Sequence, residues 1–256
     1  MEFSARGLVL AERTVGEWDK SLTLLCEGIG KISVWARGAK RVKSPLLAAC
    51  SMFVLGSYSF VKKGERISVT SAQPEETFFG LRTDVEGLSL AAYLCELCRT
   101  LCAEQQPEDE LLSLTLNALY ALSEKRAPAE VVKPAFELRS LAQSGFLPAL
   151  GSGCMVCGER EFPLYFSSQA GGVLCARHSA AQRDAQAISP SVLSAMQYIC
   201  SCEAKRLYSF CLPPEALDQL SHHCEAYVTT TLGAQPQTLR FYRSLCGDIK
   251  KIEENQ

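Results

Sequence analysis

The sequence predicts an α+β protein: a small antiparallel barrel in front, then helices interrupted by a metal-binding insertion. Three observations carry that reading. Apolar positions recur every second residue over the first seventy or so residues, between glycine-bearing turns. From about residue 85 onward they recur every third or fourth residue. Two pairs of metal-ligand residues then stand seventeen residues apart.

Five segments read as strands, in order "FSARGLVLAE", "SLTLLC", "KISVWARG", "FVLGSYSFVKK" and "ERISVTS". "CEGIGK" and "VKKGER" read as hairpin connections, with glycine where positive φ is needed. Five consecutive antiparallel strands of this kind fit a small barrel or an OB-fold, and a five-stranded OB-fold barrel is the expectation. The Gly28–Gly30 pair lacks a third glycine and a following helix, so it reads as a turn and not a phosphate loop. Pro74 is expected to end the strand region.

The helices follow. "VEGLSLAAYLCELCRTLCAE" repeats leucine at three- and four-residue steps, and "PEDELLSLTLNALYALSEKRA" begins with proline and three acids. "PAEVVKPAFELRSLAQSGFLP" is a third helix, with a kink or restart expected at Pro134 and a cap at Gly145. After the cysteine-bearing stretch, "ISPSVLSAMQYICSC" and "PPEALDQLSHHCEAYVTTTLG" resume helices with proline in the first turn. The polar tail, 247–256, is expected to fray. The expected organisation is therefore an OB-fold domain over 1–76 and a helical domain over 77–256, interrupted at 151–182 by a zinc-ribbon-like module.

Composition narrows the function classes. The chain has 256 residues, 47% hydrophobic and 21% charged, which is globular usage. Its net charge of −2 hides an asymmetry: residues 1–74 carry 11 Lys/Arg against 6 Asp/Glu, and the rest 15 against 22. A basic front on a mildly acidic body points to a local polyanion-binding surface. Thirteen cysteines, an odd number without framework spacing or a leader, point to reduced thiols in a cytosol. The longest apolar run, "LLAACSMFVLG", is too short to span a bilayer. A soluble, intracellular protein is expected.

"CMVCGEREFPLYFSSQAGGVLCARH" contains the strongest chemical motif, C-x2-C-x17-C-x2-H. Two ligands separated by two residues can turn back onto one ion, and two such turns complete a tetrahedron. "FPLYFS" and "VLC" read as strands around a "QAGG" turn, so a hairpin would bring the second pair to the first. The candidate ligands are Cys154, Cys157, Cys175 and His178, holding structural zinc. A catalytic zinc would need an open position, which four protein ligands deny it.

Other thiols and imidazoles read more plainly. Cys95, Cys98 and Cys102 share one face of an apolar helix and read as core. Cys200 and Cys202 flank a single residue, and His222 and His223 read as surface histidines beside a core Cys224. No nucleophile-elbow, Walker or paired-histidine zinc motif is present, and no catalytic residue is assigned.

"KISVWARGAKRVKS" carries the second informative pattern. On a strand, Ile32, Val34 and Ala36 point to the core, while Lys31, Ser33, Trp35 and Arg37 point outward. Lys40, Arg41 and Lys43 follow in a loop. A stacking-capable ring within a row of cations is how OB-type domains hold single strands. The candidate DNA-binding residues on this reading are Lys31, Trp35, Arg37, Lys40, Arg41 and Lys43; the alternative is that Trp35 packs under a neighbouring helix and the lysines solvate a turn.

"FELRSLAQSGFLPALGSGCMVCG", "FSSQAGGVLC", "ISPSVLSAMQYI" and "LPPEALDQLSHHCEAYVTTTLG", in that order, resemble the bacterial RecO family of DNA repair proteins. "ARGAKRVKS" is similar to the family's basic loop. The resemblance implies an N-terminal OB-fold, a helical C-terminal domain often bearing zinc, and recombination mediation without catalysis. Such proteins bind single- and double-stranded DNA and anneal complementary strands. With RecR they help load RecA onto DNA coated by single-strand-binding protein.

The same resemblance implies zinc on Cys154, Cys157, Cys175 and His178, the last being often a cysteine in the family. It places DNA on Arg37, Lys40, Arg41 and Lys43. It also implies docking of the acidic, hydrophobic tail of single-strand-binding protein, with Lys133 and Arg139 as candidate rim residues of the pocket. A cytoplasmic, nucleoid-associated protein is the corresponding expectation. Two other classes fit parts of the pattern: a zinc-dependent hydrolase or nuclease acting on nucleic acid, and an adaptor whose barrel binds another protein.

Overall fold

In Gly30–Ala36 (β3), Ile32, Val34 and Ala36 are buried while Lys31, Ser33 and Trp35 lie on the outer face. This two-residue period is what a strand with one wet face requires. The same alternation marks parts of β1 (Glu2–Val15), β2 (Asp19–Cys26), β4 (Leu55–Lys63) and β5 (Arg66–Glu76), and it gives way to continuous burial over residues 7–10 of β1. They close in the order β1-β2-β3-β5-β4, the five-stranded OB-fold barrel.

Closure depends on the long β1. Its first half pairs antiparallel with β4, its second half with β2, and the register shifts between Val9 and Ala11. Such a bulge lets one strand bend across two neighbours. The seam is a parallel contact of β3 with β5 at Trp35↔Ser68. Residues 37–54, between β3 and β4, send Ala39, Leu46, Ala49 and Cys50 into the barrel core. Tyr58 fixes that segment by donating its hydroxyl to the Ala49 carbonyl at 2.7 Å. Lys20 is buried, and its ammonium is satisfied by Glu12 and the Cys50 carbonyl, each at 2.8 Å.

One expectation is corrected here. Pro74 does not end the strand region, for β5 continues to Glu76. Pro74 pairs with Gly56 of β4 beside a register shift, beyond the single β3 register position at Ser68. A proline that owes no second ladder bond is tolerated there.

The structure is a computed structural model that describes the backbone of residues 1–253 and the side chains of residues 1–247. It divides into two compact units, Met1–Glu124 and Lys125–Gln256. The first contains the barrel together with α1 (Val85–Leu101) and α2 (Asp109–Ser123). This division falls later in the chain than the expected junction after residue 76. α1 is capped by Asp84, whose carboxylate accepts from the Gly87 N–H at 3.1 Å.

In the second unit α3 (Ala129–Gln143) is one element through Pro134, not two. It ends in a Schellman motif: the Gly145 N–H reaches the Ala142 carbonyl and the Phe146 N–H the Leu141 carbonyl. Gly145, at φ +89°, supplies the left-handed residue this cap needs. β6 (Leu164–Ser167), β7 (Gly172–Cys175) and β8 (Gln186–Ile188) form a sheet in the order β7-β6-β8, with the single-turn α4 (Ala176–Ser179) after β7.

α5 (Pro190–Ser201) starts at the Ser189 cap and α6 (Pro214–Leu232) ends at Gly233, and both pack on α3. α7 (Gln237–Glu253) runs into the tail expected to fray, of which 254–256 lie outside the described residues. Among the described residues no helix is long and apolar enough to cross a membrane.

Candidate functional site

The metal centre is built from two short turns held side by side. In the first, the Gly158 N–H returns to the Cys154 carbonyl at 2.8 Å and the Cys154 N–H to the Glu159 carbonyl at 2.7 Å. This knuckle is zipped to the hairpin by the Met155 N–H on the Val173 carbonyl at 2.8 Å. In the second, Cys175 closes β7 opposite Leu164, and α4 brings His178 round one turn later.

Cys154, Cys157, Cys175 and His178 thereby place their donor atoms within 4.8 Å of one another. The Cys157 and Cys175 sulfurs are 3.8 Å apart, and His178 Nδ1 lies 3.4 Å from Cys154 Sγ and 3.3 Å from Cys175 Sγ. A tetrahedral ion with bonds of about 2.3 Å to sulfur and about 2.0 Å to nitrogen sets such separations at roughly 3.5–3.8 Å. The donor set therefore fits one metal ion. Burial opposes the Cys154 thiolate, yet the N–H groups of Cys157, Val156 and Cys175 bring its thiol down to about 6.

The other thiols and imidazoles lie apart from this cluster. Cys95, Cys98 and Cys102 are core residues, and burial pushes the Cys95 thiol up to about 12. His223 departs from the surface position expected for it. It is buried, meets Phe166 edge-on at 5.6 Å between ring centres, and is held by burial down to about 4. His222 is exposed.

On the barrel, Arg37, Lys40, Arg41 and Lys43 are all exposed in the turn and loop that follow β3, which ends at Ala36 before the strand position expected for Arg37. None of the four forms an ion pair among the described residues. Asp19 organises their base. One carboxylate oxygen accepts from the Gly38 N–H at 2.7 Å, the other from Trp35 Nε1–H at 3.1 Å. Those bonds, with the Gly38 N–H foremost, and the nearby charges of Arg37 and Arg41 hold the Asp19 carboxyl below its usual range against partial desolvation.

Trp35 is on the outer face as its parity predicts, but half-buried, with the Arg66 guanidinium 4.3 Å from its ring centre. Sequence reasoning named neither Asp19 nor Arg66. Both act across strands, and only the β3–β5 register pairing gave access to Arg66.

Three predicted site residues are placed elsewhere. Lys31 turns away from the loop: its ammonium donates to the Arg99 carbonyl at 3.0 Å and pairs with Glu104 at 3.4 Å. Lys133 is buried, with its ammonium 2.9 Å from Glu137 and 3.0 Å from Glu225. Arg139 donates to the carbonyls of Ile199, Cys200 and Cys202, tying down the C-terminal end of α5. Lys133 and Arg139 hold α3 to its neighbours, Lys133 from a buried position and Arg139 from a half-buried one.

Comparison with known proteins completes the picture. Residues 1–78 match the family model described as Recombination protein O N terminal, and residues 82–240 that described as Recombination protein O C terminal. The chain is similar to the DNA repair protein RecO of Acetivibrio thermocellus, 33% identical across 93% of this chain and 95% of that one. It is likewise similar to the DNA repair protein RecO of Exiguobacterium sibiricum, 33% identical across 92% and 94%, and of Desulforudis audaxviator, 32% identical across 95% and 97%.

Proposed function

The chain belongs to the recombination protein O family of DNA repair proteins, and from that premise we propose a non-catalytic mediator that grips DNA by its barrel. It binds single and double strands and anneals complementary ones. With RecR it helps load RecA onto DNA coated by single-strand-binding protein, whose acidic tail it contacts.

The observation that supports this reading is the exposed row Arg37, Lys40, Arg41 and Lys43, none of which forms an ion pair among the described residues, with the Asp19 carboxylate acting on Arg37 and Arg41 from a longer distance. Two DNA strands repel because each carries a phosphate per nucleotide. Cations that displace the counterion atmosphere allow the strands to approach without any bond being cut. The Asp19 bonds to Gly38 and Trp35 fix where the loop leaves the barrel.

The Cys154, Cys157, Cys175 and His178 set takes zinc in this account, in a structural role. Four protein donors satisfy a tetrahedral ion and leave no position for a substrate. Zinc binding supplies folding energy to an insertion too small to form its own core.

Titration of fluorescent single- and double-stranded oligonucleotides at several salt concentrations, with annealing followed in the same samples, tests the proposal. Steeply salt-dependent binding with accelerated annealing is expected. Binding without annealing would remove the mediator role, and DNA cleavage that vanishes on chelation would replace it with a nuclease.

A further inference from the structure

The flat surface that the barrel offers beside its basic loop belongs to an arginine. Arg66 opens β5, two residues before Ser68, which is the register partner of Trp35 on β3. Residues two apart on a strand share a face, so Arg66 is placed alongside the indole. Its guanidinium carbon lies 4.3 Å from the Trp35 ring centre. The indole cannot turn aside freely, because Nε1–H is bonded to Asp19 at 3.1 Å. One indole face is therefore covered. Arg66 itself is exposed and forms no ion pair among the described residues.

We propose that Arg66 is a base-stacking residue: its guanidinium, backed by Trp35, receives an unpaired nucleobase while the loop cations hold phosphates. The inference rests on the DNA-binding reading above and adds to it the ligand's class, a strand with unstacked bases. A guanidinium is planar, always charged and weakly hydrated, so it stacks on an aromatic ring and on a base in turn. Lysine cannot do this, since its ammonium is a point charge with no face. Stacking of this kind tolerates any base, as annealing of arbitrary sequences requires.

The test compares two single strands of equal length and charge, an oligo-dT and an abasic strand that keeps sugars and phosphates without bases. Arg66→Lys should weaken oligo-dT binding about fivefold or more, the loss of one stacked base, and leave abasic binding unchanged. Arg66→Gln, a second variant that removes charge as well, should weaken both strands and oligo-dT more. Equal behaviour of Arg66→Lys and the parent on oligo-dT would overturn the inference, as would equal losses on the two strands. If the parent binds neither strand, the DNA-binding reading itself fails, and the two failures are thereby told apart.

Discussion

Lys31 reaches from β3 to the end of α1, where its ammonium donates to the Arg99 carbonyl at 3.0 Å and sits 3.4 Å from Glu104. The last carbonyls of a helix have no partner of their own and carry its negative dipole end, so a cation is stabilising there. Lys31→Ala should cost about 1 kcal/mol of stability in a urea titration. The salt dependence of DNA binding should stay as in the parent, because this cation is engaged inside the fold.

Gly30 is the residue that lets the chain pass α1–α2 so closely. A Cβ on it would stand 1.7 Å from the Gln106 carbonyl oxygen, at a φ of +89°. No rotamer relieves a clash between two backbones. Gly30→Ala should therefore destabilise the chain by about 3 kcal/mol or more, read as a lowered urea midpoint with an unchanged slope.

Metal removal should act locally. Native mass spectrometry is expected to find zinc on the parent and none on Cys157→Ser. Hydrogen exchange should then rise across β6 and β7, which the knuckles brace, while β1 to β5 remain protected. DNA affinity should hold. Loss of barrel protection on chelation would show that the metal supports more than its own module.

His223 gives the second unit a pH dependence of known sign. Its folded-state value is about 4 against an ordinary 6.5, with burial as the main cause. Between those values the unfolded chain takes up a proton that the folded chain refuses. Stability is thus full above about pH 6.5 and falls as pH drops towards 4, by about 3 kcal/mol at most from this group. Denaturation at pH 7 and pH 4.5 should show a smaller difference for His223→Gln than for the parent.

Local chemistry made much of this legible before any coordinates. Alternation located five strands, and C-x2-C-x17-C-x2-H named the four donors that come within 4.8 Å of one another. What escaped was set by distant partners. Lys133 and Arg139 look like surface cations by composition, but Glu225 and the last carbonyls of α5 draw them inward. The three-residue β8 is too short to show a period, and it exists because β6 offers it a free edge. Pro74 reads as a stop until β5 is seen to continue along β4 beyond its register position with β3 at Ser68.

The most direct test of the account is the salt slope of single-strand binding for the Arg37→Ala, Lys40→Ala, Arg41→Ala variant. Each lost phosphate contact should remove about 0.7 from the slope of log K against log salt, so a reduction of roughly 2 is expected, with weaker binding throughout. A variant that binds like the parent, with the parent's slope, would contradict the placement of DNA on this surface.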